Sequence, residues 1–170
     1  MINGFVEQTD GAFRQIIAIE PDAENRTRLQ DNLRAWRLAD ADVTTLTCAL
    51  SDNDGEALFH PGLDYASQLS STGITHVETR KLDTLDLAPT FVKLHLEGAE
   101  LAALRGGRKT LVANRPIVAA TVYHNTDGIW ETPLWLMDSL PDYRFLFRVH
   151  SWCGTGAVIY AIPKERTRRA

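Results

Sequence analysis

The sequence predicts an α/β fold in a single domain over residues 1–170: a mostly parallel sheet with an antiparallel C-terminal edge. Three observations carry that expectation. Ile16–Ile19 is a short apolar run that passes at once into a helical pattern, and Thr90–Leu96 does the same before Gly98–Ala113. A strand followed directly by a helix is the repeating unit of a parallel sheet. Near the other end, Tyr143–His150 and Ala157–Ile162 are separated only by Ser151–Gly156, a link that pairs two strands antiparallel.

The elements follow in order. Ile16–Ile19 stops at Glu20-Pro21-Asp22, where Asp22 is a natural N-cap, and Leu29, Leu33 and Trp36 recur at helical spacing behind it. That predicts a helix from Ala23 to about Leu38. Val43–Leu50, rich in β-branched residues, is the next strand, and Ser51-Asp52-Asn53-Asp54-Gly55 breaks it. Glu56–His60 returns as an extended segment. Pro61–Gly73 is a polar loop of a length that often marks a lid or binding loop, and Ile74–Lys81 is another strand. Thr90–Leu96 is a buried strand. Gly98–Ala113 is a helix with Leu101, Leu104 and Leu111 as its core stripe, stopped by Arg115-Pro116. Ile117–Tyr123 is a strand, and Trp130–Leu140 is an amphipathic helix presenting Leu134, Trp135 and Leu136.

Bulk properties narrow the function. Hydrophobic residues make up 44% of the 170 and charged residues 24%, so a sizeable core is available. A net charge of -4 argues against a general nucleic-acid grip, which needs a basic stripe. The basic cluster Lys164, Arg166, Arg168 and Arg169 reads as a solvated end. Cys48 and Cys153 lie in or beside apolar runs without zinc spacing, which suits buried free thiols in a reducing compartment. No apolar run is long enough to span a bilayer and no secretory segment opens the chain, so a cytoplasmic protein without a membrane partner is expected.

Phe91–Gly107 holds the leading site candidate. Lys93, His95 and Glu97 occupy alternate positions at a strand's end and so share one face. Ionisable groups on a buried strand are costly unless paired or functional, and open α/β sheets work at the carboxyl ends of their strands. His95 and Glu97 are acid–base candidates there, set against a buried ion pair that merely closes the sheet edge. His124, at the end of the next strand, faces the same rim and is a second acid–base candidate; His150 and Trp152 are weaker ones. Glu20 is suited to accept bonds from ribose hydroxyls, or is a surface carboxylate opening a turn. Asp52 is placed to meet an adenine or ribose edge, or is plain turn chemistry. Glu100 is explained by the helix dipole alone. No G-x-S-x-G elbow, Walker loop or H-E-x-x-H occurs.

Taken as an ordered set, these pieces resemble the FkbM-like, S-adenosylmethionine-dependent methyltransferases. The matching segments are Ile17–Asp22 with Asn25, Ala49–Asp52 with Gly55, Thr79–Leu85, Val92–Glu100 running into Leu104-Arg105-Gly106, Arg115-Pro116 and Tyr123-His124. The resemblance implies a class I methyltransferase (Rossmann-like) fold and O-methylation of a sugar, polyketide or similar small-molecule hydroxyl acceptor. It also implies that Glu20, with Pro21 beside it, holds the cofactor ribose, and that Ser51 and Asp52 lie by the adenine. The segment from Lys93 to Gly98 would then border the transferred methyl group, with His95, Glu97 and His124 as the catalytic residues near the acceptor.

Two departures from the family pattern stand out. The family usually has Asp where this chain has His95; a histidine base there would titrate near neutral pH. The family's first strand and glycine-rich loop are also expected before Glu20, yet only Met1–Gln15 precede Ile16, and Ile2–Phe13 reads as the helix that would follow the loop. A late start, through truncation or a misplaced start codon, is therefore expected, with the strands ending at Glu20 and Glu97 left to pair directly or expose their edges. The alternative function is a truncated or non-catalytic relative serving as a binding or assembly module.

Overall fold

Why the chain breaks where it does is clearest in its turns. The computed structural model describes residues 2–36, 38, 42–152 and 155–167; Cys153, Arg168 and Arg169 lie outside these. Helix α1 (Ile2–Gln8) ends five residues before the expected Phe13, because Asp10 and Gly11 take left-handed φ values of 50° and 73°. Its Phe5 stacks on Phe91, with ring centroids 5.8 Å apart.

Strand β1 (Ile16–Ile19) leads into α2 (Ala23–Ala35), whose N-cap is Asp22 as expected. Strand β2 (Val43–Leu46) pairs with β1 in parallel, Ile16 opposite Val43 and Ile19 opposite Leu46. The single strand expected over Val43–Leu50 is in fact two. After the break, β3 (Ala49–Leu50) leaves β1 and pairs in parallel with a different strand, Ala49 opposite Thr79 and Leu50 opposite Arg80. Strands β4 (Gly55–His60), β5 (Gln68–Leu69) and β6 (Thr75–Arg80) complete a sheet ordered β3-β6-β4-β5. The polar Pro61–Gly73 segment thus contains β5 and a short 3-10 turn, Asp64–Ala66.

The third sheet positions the site. Strand β7 (Phe91–Leu94) pairs in parallel with β8 (Ile117–Thr121). Strands β9 (Tyr143–Val149) and β10 (Ala157–Pro163) form the expected antiparallel pair, and β10 rather than β9 lies against β8. The order is β7-β8-β10-β9. Among the described residues β1 and β7 do not pair with each other, so each keeps one edge without a strand beside it.

Gly98–Ala113, expected as one helix, is two: α3 (Glu100–Gly106) and α4 (Arg108–Asn114). The break at Gly107 exists because Asp83 caps the second helix, its carboxylate accepting from the backbone N–H of Lys109 (3.1 Å) and Thr110 (2.7 Å). Arg115, at φ 47°, ends α4 in a left-handed turn before Pro116. In α5 (Gly128–Ser139), Leu136 is fully buried while Leu134 is 57% exposed. Three successive residues cannot share one helix face, which corrects the expected Leu134–Leu136 stripe. Leu94, Leu104, Leu111, Val118, Ala120, Leu136 and Ile159 form the core between this sheet and its helices. Cys48 is buried, and that burial raises its thiol pKa. Among the described residues no helix is long and apolar enough to cross a membrane.

Candidate functional site

The site is built where β7 stops. Leu94, opposite Ala120, is the last residue of the ladder. The chain then turns because Glu100, at the start of α3, reaches back: its Oε1 accepts from the Leu96 N–H (2.8 Å) and its Oε2 from the Gly98 N–H (3.0 Å). Glu97 and Gly98 both adopt left-handed backbone, at φ 52° and 104°. Such a conformation is uncommon for a non-glycine residue and clusters at functional sites. Asn125 clamps the turn from the β8 side, donating from Nδ2 to the Gly98 carbonyl at 3.0 Å.

That turn, and not strand alternation, brings the ionisable groups together. Glu97 Oε1 stands 3.1 Å from His95 Nε2 and 3.2 Å from His124 Nε2, between two imidazoles whose ring centroids are 4.9 Å apart. The expectation that Lys93, His95 and Glu97 share one strand face therefore fails, since β7 ends at Leu94 and both His95 and Glu97 lie beyond it; Lys93 donates to the Leu94 carbonyl at 3.3 Å. Tyr123 Oη lies 3.3 Å from His95 Nε2.

Glu100 is the residue that reading the sequence undervalued. It is 4% exposed, and besides the two backbone donors it accepts from Thr121 Oγ1 (2.5 Å) and from His124 Nδ1 (3.0 Å). The helix dipole does not account for four donors converging on one carboxylate. No spacing signal announces it, because Thr121 and His124 belong to another strand and its exit.

Electrostatics follow from this packing. Burial opposes ionisation of Glu100, but the hydrogen bonds from Thr121 and Leu96 and the charge of His124 outweigh it and hold the carboxyl below its usual range. Glu100 is thus an acceptor, and His124 Nδ1 must carry the hydrogen. Burial lowers the pKa of His95, and the positive charges of Lys93 and His124 lower it further. Burial likewise lowers Lys93, with the Glu100 charge partly compensating.

The other expected residues occupy different turns. Glu20 is half-buried at the end of β1, where its Oε1 accepts from the Asp22 N–H at 2.9 Å and Arg26 donates to the carbonyls of Glu20 (3.1 Å) and Pro21 (2.6 Å). Burial raises the Glu20 pKa, the Asp22 N–H opposing. Ser51 is buried, its hydroxyl near Asn53 (3.2 Å) and Asp52 (3.4 Å); Asp52 itself is exposed. The turn packs on the last turn of α3, for a Cβ on Gly106 would fall 2.0 Å from the Ser51 carbonyl oxygen. Helix α3 therefore separates the Ser51 turn from the Glu100 cluster by about 10 Å. His150 pairs with Tyr160 at 2.9 Å and takes no part in the cluster; Trp152 is fully exposed. Asp22 has a second task that its cap signature hid. Its Oδ2 accepts from the Gly62 N–H (2.9 Å) and Ser67 Oγ (3.0 Å), tying the Pro61–Gly73 loop to the Glu20 turn.

A cavity of about 550 Å³ lined by Arg108, Val112, Asp138 and Pro141 shares no residue with the histidine cluster. It is lined by α4 and by the last turn of α5 with the residues that follow it. The cluster can hold and move a proton, and its donor set also suits a metal ion.

Comparison with known proteins agrees with this architecture. The family described as Methyltransferase FkbM domain matches residues 2–147. The crystal structure of Methyltransferase FkbM from Methylobacillus flagellatus KT superposes with a TM-score of 0.77 at 26% sequence identity, covering 94% of this chain and 40% of that one. The chain thus spans about two-fifths of the length of that protein. No curated protein matches.

Proposed function

Because the chain belongs to the methyltransferase FkbM domain family, we propose that it is an S-adenosylmethionine-dependent O-methyltransferase acting on a hydroxyl of a sugar, polyketide or similar small metabolite. The observation that carries this reading is Glu97 held between His95 and His124 at the carboxyl edge of β7 and β8, the side of an open sheet on which α/β proteins act. S-adenosylmethionine, when bound, supplies a methyl group on a sulfonium.

The chain's own residues divide the remaining work. His95 is the accessible member of the cluster, with a side chain 35% exposed, whereas that of His124 is 8% exposed. With Nε2–H donating to Glu97, His95 presents Nδ1 as an acceptor for the hydroxyl proton of the substrate, and Glu97 stabilises the resulting imidazolium. His124 is fixed by Glu100 and helps hold Glu97 in place. Holding the oxygen in line with the methyl group supplies much of the acceleration in such displacements.

Glu20 suits the cofactor ribose. Its carboxylate is an acceptor, half-buried at a strand's end, and burial raises its pKa, so two hydroxyl donors would relieve an under-solvated charge. Asp52 is exposed and suits the adenine side, while the Ser51 hydroxyl is engaged within its own turn.

A second reading, a non-catalytic binding or assembly module, is favoured by one observation: among the described residues β1 and β7 each keep an unpaired edge. Calorimetric titration with S-adenosylmethionine separates the two. Micromolar binding lost in Glu20→Ala supports the enzyme, and transfer of a labelled methyl group to a hydroxyl compound then identifies the acceptor. A folded chain that binds no cofactor favours the module.

A further inference from the structure

We propose that His95, Glu97 and His124 form a binding site for one divalent first-row metal cation, of the zinc, cobalt or manganese class. The three side chains each offer one ligand atom, and those atoms all lie within 4.8 Å of one another. Two imidazole nitrogens and one carboxylate oxygen is a recurrent donor set for such ions, with the remaining coordination positions open to water or substrate.

Distances favour it. Ligand atoms bound at about 2.0–2.2 Å to one ion, at angles between octahedral and tetrahedral, stand about 2.8–3.6 Å apart. The observed separations from Glu97 Oε1 are 3.1 Å to His95 Nε2 and 3.2 Å to His124 Nε2.

The surroundings of His124 point the same way. Its Nδ1 faces the Glu100 carboxylate at 3.0 Å, an oxygen pair that already accepts from Leu96, Gly98 and Thr121, so that nitrogen serves as the donor. Its Nε2 faces a second carboxylate oxygen, that of Glu97, at 3.2 Å. An unprotonated Nε2 and a carboxylate oxygen cannot face each other at that distance without something positive between them. A proton on Nε2 would serve, and so would a cation. A metal-bound histidine almost always donates its other N–H to a carboxylate or carbonyl, as His124 does to Glu100.

Glu100 is locked by Leu96, Gly98 and Thr121, and the Glu97 carboxylate is aimed by a left-handed backbone. A site whose supporting shell is this fixed needs little rearrangement to accept an ion. Charge also balances, since the carboxylates of Glu97 and Glu100 together match a divalent cation.

The site stands whether or not the chain transfers methyl groups. If it does, cation and proton compete for the two Nε2 atoms, and activation of a hydroxyl passes from the His95 imidazole to the ion, which lowers the pKa of a coordinated oxygen.

The test is Co²⁺ titration of the untagged, chelator-stripped chain without S-adenosylmethionine, followed by visible d–d absorption and calorimetry. We expect one ion per chain with micromolar or tighter affinity. Glu97→Gln and His95→Asn should each weaken it at least about tenfold, and Glu100→Gln by about 10–100-fold. His76→Gln, at an exposed histidine beside Glu56, should leave it unchanged. His95 is partly exposed, so its variant keeps the test decisive even if a buried variant fails to fold. No binding at millimolar Co²⁺, or binding that Glu97→Gln and His95→Asn leave intact, overturns the site. Failure of S-adenosylmethionine to bind the metal-free chain would instead count only against the methyltransferase reading.

Discussion

His124 donates from Nδ1 to the Glu100 carboxylate across 3.0 Å, joining the exit of β8 to the first turn of α3. Two elements from different parts of the chain are held at one point, and Glu97 is presented between the histidines by the turn that Glu100 also shapes.

Glu100→Ala should therefore destabilise the fold by about 3 kcal/mol, since it strands the donors of Leu96, Gly98, Thr121 and His124 in a buried place. Thr121→Val, which removes a single donor, should cost only about 1 kcal/mol. Urea denaturation measures both. Equal midpoints for wild type and Glu100→Ala would show that water replaces the carboxylate without loss.

Glycine-to-alanine changes should act in opposite directions at two positions. A Cβ on Gly106 would stand 2.0 Å from the Ser51 carbonyl oxygen, so Gly106→Ala must push two backbones apart, at about 3 kcal/mol. At Gly4, within α1, nothing lies within 4 Å of the added Cβ, and Gly4→Ala should stabilise by up to about 1 kcal/mol. Thermal melts of the two variants should bracket the parent.

The contrast between Asp22 and Glu100 explains how much was legible in advance. The Asp22 cap is a local device, and its position before a helical pattern revealed it. So did the strand–helix alternation and the closing antiparallel pair, which rest on patterns within about ten residues. What stayed hidden depends on partners distant in sequence. Asp22 also holds Gly62 and Ser67, Glu100 also holds Thr121 and His124, and Asp83 splits a predicted helix by capping from 26 residues away. The His95–Glu97–His124 cluster was half legible. Its residue types and strand ends were visible, but the left-handed turn at Glu97 that closes it was not.

Glu165 should titrate far below an ordinary glutamate. Its carboxylate accepts from Arg115 Nε at 2.6 Å and Nη2 at 3.0 Å, and that guanidinium holds its pKa at about 2. A carbon-detected NMR titration should find this midpoint, and Arg115→Ala should return it to about 4.3. Because the folded pKa is depressed, the pair contributes above the unfolded pKa and is lost as pH falls through about 2. The pair is exposed, so added salt should move the midpoint upward.

Asp22→Ala should loosen the loop before it unfolds the domain. The carboxylate accepts from Glu24 and Asn25 at the start of α2 and from Gly62 and Ser67 across the loop, so its removal deletes a cap and a tether together. The expected cost is about 2–3 kcal/mol, and the Gly62 amide should lose hydrogen-exchange protection first. Burial opposes ionisation of Asp22, but its hydrogen bonds from Gly62, Asn25 and Ser67 prevail and lower its pKa. Its contribution is therefore complete above the ordinary aspartate value of about 3.9 and disappears as pH falls through the lower folded value. Wild type and Asp22→Ala should differ most at neutral pH and converge in acid. A stability gap that stays constant from neutral pH into acid would mean that the tether does not depend on the charge.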